Sequence, residues 1–533
     1  MTVHVADPVH HPDCDPGVTW TSGNVAEAFP GVCTALGFTL MHAPVELALR
    51  SAFHDIGAFK ASDVHVPARI EDQFWSVFHG RAAANMDSFR ALADILPGTS
   101  ATAIEQQLFG YVRPGTVDHN SYRRFPMIIA KAPAALVRLP KRHDAYVDEL
   151  RAWRVDRLRT VNDLDADGCR RLLADARDRL RAVMTLHFLV SFVGSGIADK
   201  LAALARANGA DGLEARLLCG VGSDENEVAG DLWRLAHGEL GLTAFLDRHG
   251  YHGPNEGQLD VVSWREDPST IEARLADYRA IPSGSPAAPD SRARDQVAIR
   301  EAATAELVGA GGRFQAPNVR FMVRIAARFL ALREQGKSGF LITFDVARAA
   351  ARRLGHHLVD AGVIENASDV FHLTWEEVHD SPTEDLSGLV TERRARHEER
   401  QGLRLPDAWD GVPEPIRIVQ ATSAADQGTR LSGVGASGGV AEGRARVVRD
   451  PGTTALDDGD ILVCEATDPG WVSLFLVAGG VVTDLGGMLS HGAIVAREMG
   501  LPAVVGTTGA TATILDGQRI RVDGTAGVVE VLA

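Results

Sequence analysis

The stretch GGMLSHGAIVAREMG, residues 486–500, sets one histidine, His491, between a glycine-rich approach and a short amphipathic run. Ile494, Val495 and Met499 follow it at helical spacing, so a histidine packed at the head of an apolar stripe is the ordinary reading. The neighbours argue for chemistry instead. Ser490 is a good N-cap and His491 falls at the first helical position. Unpaired backbone N–H groups and the positive end of the helix dipole meet there. Such a place stabilises an anion and disfavours imidazolium. A histidine that attacks phosphorus in its neutral form and then carries a phosphoryl group has those two requirements. A metal fits poorly, because no second ligand shares the face apart from the badly placed Glu498.

Two further groups carry chemistry-bearing side chains. In REQGK, Arg333 and Lys337 stand at i and i+4, so a helix would set them about 6 Å apart on one face. On spacing alone the pair reads as a solvated basic edge. In FLDRHGYHGPNEGQLDVVSWREDP, residues 245–268, His249 and His252 precede Glu256. Neutral imidazole suits a general base that takes a hydroxyl proton. The same two histidines fit equally well as hydrogen-bonded members of a tight GPN turn.

The elements that must position these residues fall into two textures. Up to about residue 404 the chain reads mainly as helix. QFWSVFHGRAAANMDSFRALADIL, DARDRLRAVMTLHFLVSFVGSGIADKLAALARA and VRFMVRIAARFLALREQ all space apolar residues at three and four, in stretches rich in good helix formers. A polar, proline-bearing interruption at 280–294 predicts a loop or connector within that body, and the one at 405–430 predicts an inter-domain linker. From 431 to 533 short β-rich runs, DILVCEAT, GGVVTD, PAVVG and QRIRVDGTAGVVEVL among them, alternate with two short helical runs, WVSLFLVAG and HGAIVAREMG. The fold class expected is therefore multidomain: a large, mainly α-helical body followed by a small α/β domain.

Composition narrows the function. The 533 residues carry a formal charge of −16, which argues against nucleic acid as the main partner. The five cysteines are scattered without a CxxC pair, so neither a disulfide framework nor a zinc site is expected. No apolar run of about eighteen residues stands out and the first residues lack the layout of a signal peptide, so a cytoplasmic protein without a membrane partner is expected.

The GGMLSHGAIVAREMGLPAVVG motif, with ATDPGWVSLFLVAGGVVTD before it, closely resembles the phosphohistidine swivelling domain of the PEP-utilising enzymes. Phosphoenolpyruvate synthase, pyruvate phosphate dikinase and rifampicin phosphotransferase belong there. The resemblance implies that His491 is the residue phosphorylated. WTSGNVAEAFPGVCTALGF (20–38), the 245–268 element and, more weakly, HGRAAAN (79–85) resemble the substrate-binding domain of rifampicin phosphotransferase-like proteins. His252 stands where that family's element carries arginine, while Glu256 and WREDP are kept. The resemblance also implies that Arg333 and Lys337 face the transferring phosphoryl group, and that His252 and Glu256 belong to the substrate-binding set. It implies a donor as well. No glycine-rich phosphate loop before a lysine appears in the helical body, so ATP and Mg2+ are expected on a separate ATP-grasp subunit, with no cofactor or metal held by this chain. The histidine-bearing subunit of phenylphosphate synthase offers the nearest parallel, and a hydroxylated, phenolic acceptor is the first expectation. A split component of the synthase or dikinase type, or a non-catalytic ligand-binding regulator, are the alternatives.

Overall fold

The computed structural model describes residues 7–97, 99–109, 112–119, 121–210, 212–222, 224–280, 288–311, 316–418, 425–449, 456–467, 471–475, 477–487, 490–507 and 509–532. It forms two compact units. The first comprises Met1–Val190, Gly257–Val261 and Gly336–Ile418, and the second Ser191–Glu256, Val262–Gln335 and Val419–Ala533. Two long helices, Ala166–Ala207 and Ala316–Asp360, contribute to both.

In the first unit the helices Ala35–Asp55 and Phe125–Thr160 pack with the unit's shares of those two long helices. Close approach is bought by glycine: a Cβ on Gly336 would sit 2.7 Å from His187 Nδ1, and one on Gly339 would sit 2.5 Å from Val183 Cγ2. Buried charge locks the bundle. Arg154 Nε donates to Asp345 Oδ2 at 2.7 Å, while Arg348 donates to the carbonyls of Gln258 and Leu259 at 3.0 Å and so pins the 257–261 segment.

Beside the helices lies a four-stranded antiparallel sheet ordered Trp75–Phe78, Arg81–Asn85, Thr19–Thr21, Ala408–Asp410. It corrects the sequence reading in two places. QFWSVFHGRAAANMDSFRALADIL is a hairpin followed by the helix Met86–Ile95, not one helix. Alanine and leucine favour helix locally, but Phe78 pairs with Arg81 across His79 and Gly80, both at positive φ (48° and 74°), which is a two-residue hairpin turn. The expected linker is also structured where it begins. Ala408–Asp410 pairs with Thr19–Thr21, and Ile416–Arg417 pairs with Leu403–Arg404. Residues 419–424 of that linker lie outside the described residues.

The second unit joins helices to the α/β sheet. Its eight strands run in the order Arg430–Ser432, Val528–Val531, Arg519–Asp523, Val440–Val447, Ile461–Cys464, Gly480–Thr483, Ala503–Val505, Val434–Ser437. The four from Val440–Val447 to Ala503–Val505 are parallel to one another and the others antiparallel. These are the short β runs read from the sequence. One sheet face packs against the helices Asp224–Ala236, Leu242–His249 and Ser269–Ala280 in a common core, where Leu232, Phe245 and Tyr278 bury with Trp471, Phe475 and Ala496. The compact units thus divide the chain differently from the expected boundary near 404–431, because this core ties residues on both sides of it together.

Of the expected connector at 280–294, residues 281–287 lie outside the described residues, and helix resumes at Pro289, whose fixed φ suits a first helical turn. The helix Ala166–Ala207 contains an 18-residue stretch of mean hydropathy 1.5, long and apolar enough to cross a membrane by length and composition, with 33% of it buried. Core helices pass the same test. All five cysteines are buried free thiols.

Candidate functional site

His491 opens the nine-residue helix His491–Met499. Ser490 caps it, with the Ala493 N–H donating to Ser490 Oγ at 3.3 Å, and Gly500 closes it in the left-handed conformation at φ 67°. The imidazole is 7% exposed, and its Nδ1 lies 2.9 Å from Thr467 Oγ1. Gly492 makes that bond possible, since a Cβ there would stand 3.0 Å from the same hydroxyl. Phe475 meets the ring edge-on at 6.4 Å between centroids. The Thr467 hydroxyl at Nδ1 fixes the orientation of the ring. Thr467 was legible in the ATDPGW run but carried no assigned role; Met488, Leu489 and residues 468–470 of the motif lie outside the described residues.

The far end of the same helix is fastened by charge. Glu498, 3% exposed, accepts from Asn226 Nδ2 at 2.8 Å and from the Val221 N–H at 3.2 Å. Burial raises its pKa against these bonds. It is a docking carboxylate; among the described residues no group of three or more His, Cys, Asp or Glu side chains is placed to hold a metal ion. Arg497 donates to the Ala436 carbonyl at 2.8 Å, and its pKa falls to about 10 through burial, with the charge of Arg333 pushing the same way. Arg333 therefore lies within electrostatic reach of the helix that starts at His491. Lys337 follows one turn later on the helix Ala316–Asp360, and both cations are half-buried. Arg333 belongs to the second unit and Lys337 to the first.

His252 and Glu256 come together as a cluster. His252, fully buried, places Nδ1 2.7 Å from Glu256 Oε2 and Nε2 3.1 Å from Asp224 Oδ2, which Tyr251 also contacts with its hydroxyl at 3.3 Å. Burial alone would push the imidazole pKa down, but the Glu256 charge and the bonds to Asp224 and Glu256 outweigh it and lift it to about 10. With both nitrogens against carboxylates, the charged form of the buried imidazole is favoured. His249 differs. It bonds Asp231 at 3.0 Å, yet burial holds its pKa below the usual value. WREDP folds back on this turn, the Trp264 N–H donating to the His252 carbonyl at 2.8 Å and the Arg265 N–H to the Gly250 carbonyl at 2.9 Å. Asn255, at φ 53°, turns the chain between the two members of the cluster.

The 20–38 element serves architecture in the first unit. Trp20 is fully buried with its indole N–H on Cys14 Sγ at 3.2 Å, and Thr34 caps the helix Ala35–Asp55. A Cβ on Gly257 would lie 2.4 Å from the Ala28 carbonyl, and Gln258 donates to the Pro30 carbonyl at 2.6 Å. The chain after Glu256 is thereby fitted onto the AFPGVC segment.

Two family models match parts of the chain. Residues 456–527 match the PEP-utilising enzyme mobile domain, and residues 169–334 match the rifampicin phosphotransferase fourth domain. A rifampicin phosphotransferase of Streptomyces sviceus is 35% identical over 297 residues, covering 55% of this chain and 34% of the relative. One of Bacillus cereus is 31% identical over 303 residues, covering 55% and 34%, and one of Bacillus subtilis is 37% identical over 222 residues, covering 41% and 26%. The matched part of the chain spans about a third of the length of such relatives. The stretch that presents His491 thus matches a PEP-utilising mobile domain, and the helices sharing its core lie in the stretch that matches the rifampicin phosphotransferase fourth domain.

Proposed function

We propose that this chain is the phosphocarrier and acceptor-binding part of an ATP-dependent small-molecule phosphotransferase. The observation that carries the reading is His491 itself: the first residue of a capped helix, with the positive helix end beside it and its Nδ1 on the Thr467 hydroxyl, an arrangement in which Nε2 is the nitrogen that would attack phosphorus. In the first half-reaction Nε2 attacks a phosphoryl group of ATP held with Mg2+ on a separate ATP-grasp partner: the N–P bond forms as a P–O bond of the nucleotide breaks, and the leaving phosphate oxygen keeps that bond's electron pair. In the second, the N–P bond breaks, its electron pair returns to the ring, and an acceptor hydroxyl takes the phosphoryl group as its proton leaves. Such transfer depends on positioning and on neutralising oxygen charge more than on covalent help. Arg333 and Lys337 supply that charge. The acceptor is a hydroxylated small molecule, a phenol in the first instance.

The test incubates the chain with ATP, Mg2+ and a stand-alone ATP-grasp protein, and in parallel with phosphoramidate, a small N-phosphoryl donor. An acid-labile, base-stable phosphate mapped to His491 and absent from His491→Ala is expected. A chain that takes no label on His491 from either donor would exclude the phosphocarrier role.

A further inference from the structure

We infer that Glu256 is the residue that receives the acceptor's hydroxyl proton, with His252 as its positioning cation; this rests on the phosphotransferase reading above.

Glu256 is 3% exposed, and its two oxygens are in different situations. Oε2 holds His252 Nδ1 at 2.7 Å. Oε1 is shut off from solvent and meets no hydrogen-bond donor among the described residues. Buried polar atoms are almost always satisfied, so a carboxylate oxygen kept dry and open calls for a donor from outside the chain. An ammonium or a hydroxyl would serve; the acceptor of a phosphoryl group brings a hydroxyl.

The surrounding charges shape what Glu256 does with that hydroxyl. Asp224 takes the other nitrogen of His252, so the imidazole is held on both sides and cannot rotate away or accept a proton. Its charge offsets that of Glu256 and fixes the carboxylate plane, which aims Oε1. The arrangement explains how histidine serves where the family's element carries arginine: both keep a cation against the same glutamate. The step balances simply. As the His491 N–P bond breaks and the acceptor O–P bond forms, the acceptor O–H bond breaks and its proton passes to Oε1. In a loose phosphoryl transfer that proton moves late. The larger contribution of Glu256 is orientation of the nucleophilic oxygen.

The experiment loads the full chain on His491 with phosphoramidate, adds phenol as the probe acceptor, and follows phosphohistidine and phenyl phosphate by phosphorus NMR. Glu256→Gln should load like the wild type and transfer at least ~100-fold more slowly. Glu256→Asp keeps the charge against His252 but draws the oxygen back, so it should melt like the wild type and also transfer slowly. His252→Arg should retain both half-reactions, whereas a base at position 252 would be lost with that change. Wild-type rates of transfer in folded Glu256→Asp or Glu256→Gln protein would overturn the assignment alone. Wild-type chain that loads but does not transfer to phenol would remove the phenolic acceptor and the assignment built on it, and a chain that does not load would remove the phosphocarrier reading first.

Discussion

His491 and His252 are both buried histidines of the second unit, and their surroundings give them opposite work. His491 stands at a helix N-terminus with a neutral hydroxyl on Nδ1. His252 lies between two carboxylates and is charged. The first environment welcomes an incoming anion and the second has already neutralised its own. On the proposed reading one ring type serves as a nucleophile where the neighbours are backbone dipoles, and as a cation where they are carboxylates. Losing the first should remove chemistry without stability, while losing the second should cost stability and slow transfer only through the carboxylate it holds.

The sharpest break in the comparison is His491→Ala. Removing a nucleophile costs on the order of 10⁶ in rate, so labelling and transfer should vanish while the melting temperature stays close to that of the wild type. A variant that still labels elsewhere in the chain at the wild-type rate would transfer the role to another residue.

The next largest effect concerns the two cations proposed to meet the phosphoryl group. Replacing Arg333 and Lys337 together by alanine should slow transfer from phospho-His491 on the order of 10³-fold, with loading of His491 little changed, as single-turnover assays of each half-reaction will read. Equal loss in both halves would show that the pair belongs to the body of the fold and not to the transfer step.

His252 supplies the stability arm. His252→Gln leaves Asp224 and Glu256 facing each other without the cation, a loss of about 3–5 kcal/mol, measurable by urea unfolding; His252→Arg should recover most of it. The pH dependence follows from the raised pKa. The folded value of about 10 lies above the ordinary 6.5, so the contribution is complete below pH 6.5 and is lost as pH rises towards 10. The wild type should therefore lose stability over that alkaline range and His252→Gln should not show the same slope. A wild-type curve flat from pH 6.5 to 10 would mean that the imidazole is neutral in the folded chain.

Much of this was legible in the residues. The Ser490 cap, the first-turn position of His491 and the β runs of 431–533 follow from local rules, and local contacts decide them in the structure too. The hairpin at 75–85 was not legible as such, because alanine propensity speaks for one residue at a time while the turn depends on two consecutive positive φ values and on Gly80, whose Cβ would lie 2.4 Å from Val32. Nor was the charge state of His252. Glu256 is four residues away and visible, but Asp224 is 28 residues upstream and reaches the ring only through the packing of the helix Asp224–Ala236. Glu498 posed the same problem, since its partners Asn226 and Val221 are more than 270 residues away. Pairwise chemistry across such distances leaves no periodic trace.

The smallest expected effect tests how finely the His491 environment is tuned. Thr467 bonds Nδ1 and competes with no charge, so its removal subtracts one neutral hydrogen bond, about 1 kcal/mol. Thr467→Val keeps the shape beside Gly492 and should slow phosphoryl transfer roughly five- to tenfold, whereas Thr467→Ser, which restores the hydroxyl, should recover it. Stability should barely move in either. If instead Thr467→Val unfolded more readily and kept its turnover, then the hydroxyl would be packing the helix rather than directing Nε2, and the contrast between the two histidines would rest on the backbone dipoles alone.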